Sequence, residues 1–550
     1  MKKNKTNLIL IFARAGSYDI ARQNLTLVNN KPLFYYVLNT ALKYKKADVY
    51  VSTDSKEIKE LTKMYGGNVI DRPKYLTSDS TTLEKIAHHS LIELKNKGLT
   101  YKKCLILNPK FPLIQLNTIQ KFFSKLNENK TIFGYGTSRD SDDDYKRIIK
   151  KDDFTKLFDV KPHMIKLKKI VAFETDKFLQ RKKFSKEIYG LKLSNLEILA
   201  LVNYHEFGIF EKIIQRKKIL VRVDGSNEIG LGHVYNMLTV LNHFRNDEIL
   251  IIMNLKKDLG KSKFKEQLYR VKTYRTNFEL ASIIKKFEPN MIFNDILDTD
   301  IKYIKNLRRE KRLIVNFEDL GNGRNYADLI FNPIFFSRTK KKNEYFGSDY
   351  ACVRDEFRIW QNDSRPIKKN VENVLIIFGG TDPTNKTLKV LKIISKIKQK
   401  NIKFSVILGL GLKNKTEVKN LANKMNNEGF NIEIIESIDF LAKIMRDSDF
   451  AISSNGRTIF ELASMKKPII SISVNEREKL HCFVEQSKIG YNITLNSKKD
   501  EKIFLKKFEN MLQEQTRKKI VKNFDQLKLL NGVDKVKHII ENTYETLNSS

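Results

Sequence analysis

Residues 224–237, DGSNEIGLGHVYNM, set Gly230, Gly232 and a histidine between an apolar run, KKILVRV, and a stretch with helical periodicity. Gly230 and Gly232 allow the backbone to turn sharply and approach a ligand closely. His233 falls at the start of the helix that follows, among free N–H groups and the positive end of a dipole. Such a field disfavours imidazolium. His233 is therefore expected to be neutral at pH 7, able to take a proton beside an anionic leaving group.

Three more junctions have the same character. In NVLIIFGGTDPTNKT, Gly379, Gly380, Thr381 and Asp382 link a strand to a helix, with amides and a hydroxyl suited to phosphate. In FAISSNGRTIFELA, Ser454, Asn455 and Gly456 lead to a helix start near Thr458, and Glu461 lies within its second turn. A carboxylate there can accept hydrogen bonds from a ribose diol while the helix start holds a diphosphate. LIVNFEDLGNG places Glu318 and Asp319 at a strand end, expected to face the same cleft. Together these loops form the pattern of a nucleotide-sugar cleft between two α/β halves.

The elements that must position these residues are short apolar runs alternating with amphipathic stretches. NLILIFA, ADVYVST, KKCLILN, KILVRVD, EILIIMN, NMIFND, RLIVNFE, NVLIIFGG, KFSVILG, NIEIIES, FAISS and PIISIS read as strands, most followed by helices. This alternation predicts an α/β chain of parallel sheets, with ligands beyond the carboxyl ends of the strands. Restarts near residue 216 and across the polar, proline-containing link 361–372 predict three domains: 1–215, 216–365 and 366–550.

The 550 residues exceed one core and predict three or four folding units at roughly 150 residues each. Lysine and arginine outnumber aspartate and glutamate by 102 to 64, a net +38, but they are scattered without a basic arm. This favours a solvated surface that helps attract small anions and argues against nucleic acid as a partner. Cys104, Cys352 and Cys482 have no pairing or zinc spacing. The opening apolar run breaks at Arg14 and reads as a strand, not a signal peptide. No apolar segment reaches bilayer length, and a soluble, cytoplasmic protein without a membrane span is expected.

On the motifs RVDGSNEIGLGHVYNML, FNDIL, NFEDL, GSDYACVRDEF, FGGTDPTN and ISSNGRTIFELA, residues 217–500 resemble the UDP-sugar hydrolase family of pseudaminic-acid biosynthesis. That family has a MurG-like, two-lobed glycosyltransferase-B fold. The resemblance implies hydrolysis of a UDP-linked 2,4-diacetamido-2,4,6-trideoxy hexose to free sugar and UDP, without a metal. His233 matches the family's catalytic histidine, Asp224 its acidic or polar position before the loop, and Tyr350 and Arg354 its Y-x-x-x-R stretch. A glycosyltransferase using the same cleft, or a non-catalytic nucleotide-sugar-binding scaffold, remain alternatives.

Residues 7–212 resemble the CMP-sialic acid synthetases, cytidylyltransferases that activate nonulosonic acids. Ala13, Arg14, Gly16, Ser17, Ile20 and Asn24 match the opening motif. NNKPLFYYVLNTAL, VYVSTDS and GGNVIDRPKYLTSD match the segments that follow. The resemblance implies a Rossmann-like nucleotidyltransferase sheet, CTP and a nonulosonic acid as partners, Mg2+ if the domain is active, and any homodimer forming through it. Tyr18 and Gln23 stand where the family has lysines, Lys110 and Phe111 where it has a Thr-Ser pair, and the acidic metal segment becomes LVN, ending at Asn203. Arg14, Arg22 and Lys110 replace part of the lost charge. The expectation is an impaired cytidylyltransferase-like domain fused to a hydrolase of one sialic-acid-type polysaccharide pathway, with an active bifunctional enzyme as the alternative.

Overall fold

Each apolar run named above forms a strand. KILVRV and EILIIMN, for example, are Lys218–Val223 and Glu248–Asn254. The computed structural model describes all residues except 1–5, 17–19, 21, 79, 127–130, 138–153, 157–164, 186–187, 336–340, 361–364, 437–439 and 550. It divides into two units, Met1–Gln215 and Arg216–Ser550.

In the first unit the sheet order is Asn68–Asp71, Ala47–Thr53, Asn7–Phe12, Lys103–Leu107, Ile165–Glu174, Thr131–Thr137, Ile188–Lys192, Phe154–Lys156. The Asn7–Phe12 strand pairs in parallel with both neighbours, whereas Ile165–Glu174 runs antiparallel to Lys103–Leu107. Alternate residues serve opposite faces, as strand geometry requires: Ile9 and Ile11 join one core cluster, Leu8 and Leu10 the other. Chain order reverses between Asn7–Phe12 and Lys103–Leu107, and the loops after both strands leave the sheet there.

The second unit holds two wholly parallel sheets, an α/β pair of doubly wound lobes. The first has the order Arg270–Tyr274, Glu248–Asn254, Lys218–Val223, Met291–Asp295, Leu313–Phe317, Leu329–Asn332, Glu344–Phe346. The second has Asn431–Ile435, Lys403–Ile407, Asn373–Ile377, Phe450–Ser454, Ile469–Ile472, Gly490–Ile493. Each reverses its winding once, between Lys218–Val223 and Met291–Asp295 and between Asn373–Ile377 and Phe450–Ser454. Such reversals open a crevice at the strand ends, and the loops carrying His233, Gly379–Asp382 and Ser454–Gly456 begin there.

Several strands not anticipated lie at sheet edges, such as Arg270–Tyr274 and Gly490–Ile493, but Leu329–Asn332 is an inner parallel strand that was missed as well. An edge strand is partly solvated and need not be continuously apolar. The last helix, Gly232's counterpart at the far end of the unit, is Gly532–Ser549, and it does not stay with the second lobe. Val536 and Ile540 join the first-lobe core, and a Cβ on Gly532 would lie 2.0 Å from the Ala351 carbonyl oxygen. Among the described residues no helix is long and apolar enough to cross a membrane.

Candidate functional site

Lys218–Val223 delivers the loop 224–231, and Gly232–Leu241 is the helix that follows. Gly230 takes φ +81°, the left-handed region that glycine tolerates. His233, second in the helix and buried, turns toward Asp295 at the end of the adjacent strand, where Nδ1 meets Oδ1 at 2.5 Å. The other carboxylate oxygen accepts from Asn236 Nδ2 at 2.7 Å, one helical turn beyond His233. With Nδ1–H given to Asp295, Nε2 is the nitrogen left to receive a proton.

Charge surrounds this pair. Glu318 Oε2 lies 4.0 Å from His233 Nδ1. Its Oε1 lies 3.0 Å from Arg457 Nη2, and Arg457 Nη1 donates to Asn236 Oδ1. Asn236 thus has a defined amide orientation, oxygen toward the cation and nitrogen toward the carboxylate. Burial works against imidazolium, but the charges of Asp295 and Glu318 outweigh it and hold the His233 pKa above its ordinary value, with Arg457 opposing. The helix start was expected to lower this pKa; the directly bonded carboxylate outweighs it and shifts the ring the other way.

Asp224 is not the partner of His233. It continues the alternation of its strand on the side of Arg222, and its Oδ2 lies 3.7 Å from Lys257 Nζ. Asp319 faces its own loop, accepting from the Thr299 and Gly321 amides, the Thr299 hydroxyl and Asn316. It shapes the turn and has no oxygen to spare for a ligand.

The second lobe contributes the opposing loops. Gly379 has φ +69°, and a Cβ on Gly380 would stand 3.0 Å from Leu231 of the histidine loop. Thr381 Oγ1 would be 3.6 Å from a Cβ on Gly230, so the two glycine loops face each other across the cleft. Asp382 instead caps the next helix, its two oxygens accepting from the Lys386 and Thr387 amides at 2.8 Å each. Ser454 and Gly456 flank Asn455, which is wholly buried and ties the loop down. Its Nδ2 donates to the carbonyls of Glu478 and His481, and its amide to the Glu478 carboxylate. Thr458 opens the short helix Thr458–Ser464. Glu461 accepts from Arg354 Nε at 2.7 Å, and Arg354 also pairs with Glu356 at 3.0 Å. Tyr350 packs against Tyr345 and Phe331 in the first lobe.

In the first unit, Ala13 is buried at the end of its strand. Arg14 donates to the Thr77 carbonyl at 2.7 Å, and its own carbonyl accepts from Asn24. Asp54 accepts from the Ala15 amide at 2.8 Å, bracing the loop. A Cβ on Gly16 would meet nothing within 4 Å. Ser17 and Tyr18 lie outside the described residues. Arg22, at φ +52°, pairs with Glu57. Gln23 is buried and donates to the Leu201 carbonyl, and Phe111 belongs to the core. Asn203 caps the helix Tyr204–Ile214 in a capping box with Glu206. Asn203, which the resemblance aligns with the family's metal carboxylates, is engaged in this helix start.

Residues 8–213 match the Cytidylyltransferase family. Residues 374–529 match the Glycosyltransferase family 28 C-terminal domain. An uncharacterized protein of Methanocaldococcus jannaschii is 31% identical over 299 residues, 52% of this chain and 61% of its own length. The chain thus spans about three fifths of that relative. The Helicobacter pylori protein named pseudaminic acid cytidylyltransferase and UDP-2,4-diacetamido-2,4,6-trideoxy-beta-L-altropyranose hydrolase is 26% identical over 533 residues, 92% of this chain and 94% of its own. Among solved structures, MurG of Acinetobacter baumannii aligns over 59% of this chain and 99% of its own, at 11% identity and a TM-score of 0.45.

Residues that sequence reasoning missed are Asp295, Asn236 and Arg457. Asp295 stood inside the motif FNDIL, at the carboxyl end of a strand beside the histidine's strand. That position was the available signal.

Proposed function

We propose that residues 216–550 hydrolyse a UDP-linked diacetamido-trideoxy hexose to free sugar and UDP, with His233 as general base. The observation that carries this is the His233–Asp295 pair beside a glycine loop that meets the Gly379–Thr381 loop of the other lobe. Water attacks the anomeric carbon and gives its proton to His233 Nε2, while the bond from that carbon to the β-phosphate oxygen breaks. Asp295 holds the ring and balances the imidazolium charge that forms. The Gly379–Thr381 loop and the segment up to Thr458 hold the diphosphate, and stabilising the charge that develops there is the larger electrostatic effect. The hydrolase activity in the name of the Helicobacter relative supports this substrate class. Incubation with a panel of UDP-linked diacetamido sugars, followed by nuclear magnetic resonance, tests it. Release of UDP without an acceptor, with inversion, is expected. Retention, or UDP release only when an acceptor is added, refutes it.

For the first unit the reading is a cytidylyltransferase-type domain with weakened nucleotidyl transfer, supported by buried Phe111 and by Asn203 serving as a helix cap. The two activities in the name of the Helicobacter relative favour a second reading, an active bifunctional enzyme. Magnesium-dependent pyrophosphate release from CTP and a nonulosonic acid separates the two.

A further inference from the structure

Two arginines of the second lobe reach into the first, and they spend their donors differently. Arg477 bonds Asp298 at 2.9 Å and the Glu318 carbonyl at 2.5 Å, as a linker between lobes would. Arg457 makes one hydrogen bond, to Asn236. Its Nη2 faces Glu318 Oε1 at 3.0 Å in an ion pair outside hydrogen-bond geometry, and its Nε has no acceptor, although both nitrogens are buried. Buried donors without acceptors are uncommon and need a cause. Glu318 itself is held at φ +52°, a strained backbone of the kind found at ligand sites.

The position of Arg457 supplies the cause. It follows Gly456 in the loop that faces the nucleotide, and its guanidinium ends one side chain away from the His233–Asp295 pair. The geometry points to Arg457 as the group that takes the charge of the departing β-phosphate, with Glu318 as the counter-ion it leaves. This rests on the UDP-sugar hydrolysis proposed above. When the bond between the anomeric carbon and the phosphate oxygen breaks, the electron pair goes to that oxygen. A planar guanidinium with two open N–H groups fits two phosphate oxygens, as an ammonium cannot. Asn236, bonded to both Arg457 and Asp295, sets the spacing between the leaving-group cation and the base.

The test uses the full chain, with UDP and UMP binding measured by calorimetry alongside hydrolysis. UMP lacks the β-phosphate. Arg457→Met is expected to weaken UDP about 10- to 100-fold with UMP unchanged, and to slow hydrolysis about 100- to 1,000-fold. Arg457→Lys should fall between. Glu318→Gln removes the competitor for Arg457 and should tighten UDP several-fold at unchanged UMP affinity, opposite in sign to the loss of a structural contact. Equal loss of UDP and UMP in Arg457→Met, or weaker UDP binding in Glu318→Gln, overturns the assignment. These binding results need no turnover. If wild type hydrolysed none of the sugars while UDP preference collapsed in Arg457→Met, hydrolysis would fall and the diphosphate contact would stand.

Discussion

Asp295→Asn keeps size and shape but should disable the base, and the reason lies in the bonds around it. Asp295 accepts on both oxygens, from His233 Nδ1 and from Asn236 Nδ2. Asn236 cannot rotate its amide without turning its NH2 against Arg457. An asparagine at 295 must therefore give its oxygen to Asn236 and its NH2 to His233. That forces the proton of the neutral ring onto Nε2, the nitrogen the mechanism needs open. The expected loss in kcat is about 100- to 10,000-fold, or roughly 3–5 kcal/mol of barrier. The variant also removes the carboxylate that holds the His233 pKa up, so any residual activity should have its acidic limb at lower pH. Exchanging the two groups, Asp295→Asn with Asn236→Asp, restores an acceptor toward His233 and should recover about 10-fold or more of the loss. Imidazole 15N shifts read the tautomer directly, and the pH profile of UDP release reads the base. An Asp295→Asn enzyme within threefold of wild type, or a folded exchange variant no better than the single one, would refute this account of the site.

His233→Gln should abolish hydrolysis by about 1,000-fold with UDP affinity unchanged by calorimetry, separating the base from the phosphate loops. Glu478 is half-buried beside Asn455, and loss of solvation first, then Asp382 and Glu318, push its carboxyl up to about 7, against the Val474 and Asn455 amides. Its contribution to stability is full below the ordinary carboxyl range and is lost as pH rises through about 7, at most about 3 kcal/mol. Glu478→Gln should therefore flatten the fall in Tm between about pH 5 and pH 8 seen by thermal denaturation of wild type. Gly409→Ala would set a Cβ 2.4 Å from the Gly380 carbonyl oxygen, a backbone atom that cannot step aside. A loss of about 3 kcal/mol by denaturant titration is expected, together with weaker UDP binding.

Most inner parallel strands were readable because they are buried on both faces and therefore run apolar, and the strand–helix alternation marked where loops would gather. His233 was readable for the same reason, standing next to two glycines at such a junction. Asp295 was not, because it lies 62 residues away and only the neighbouring of two strands brings it to the ring. Polar residues in the right loops were misjudged where backbone N–H groups had the stronger claim. Asp382 is consumed by two helix-start amides, Asp319 by Thr299 of the neighbouring loop together with Gly321 and Asn316, and Asn455 by two carbonyls. Spacing along the chain cannot tell a carboxylate that meets a ligand from one that finishes a turn. Asp224 was misplaced by the two-residue period of its strand, which sends it to the side opposite the helix that carries His233.

The return of the final helix to the first lobe means that the chain passes between the lobes twice. The outgoing passage near Ala351 and the incoming one at Gly532 touch backbone to backbone. Two strands of a rope crossing at one point make a pin, and a body hung on one pin swings but does not slide. A side chain grown on Gly532 would meet the Ala351 carbonyl at that crossing, straining the join of the two lobes far from any reacting atom.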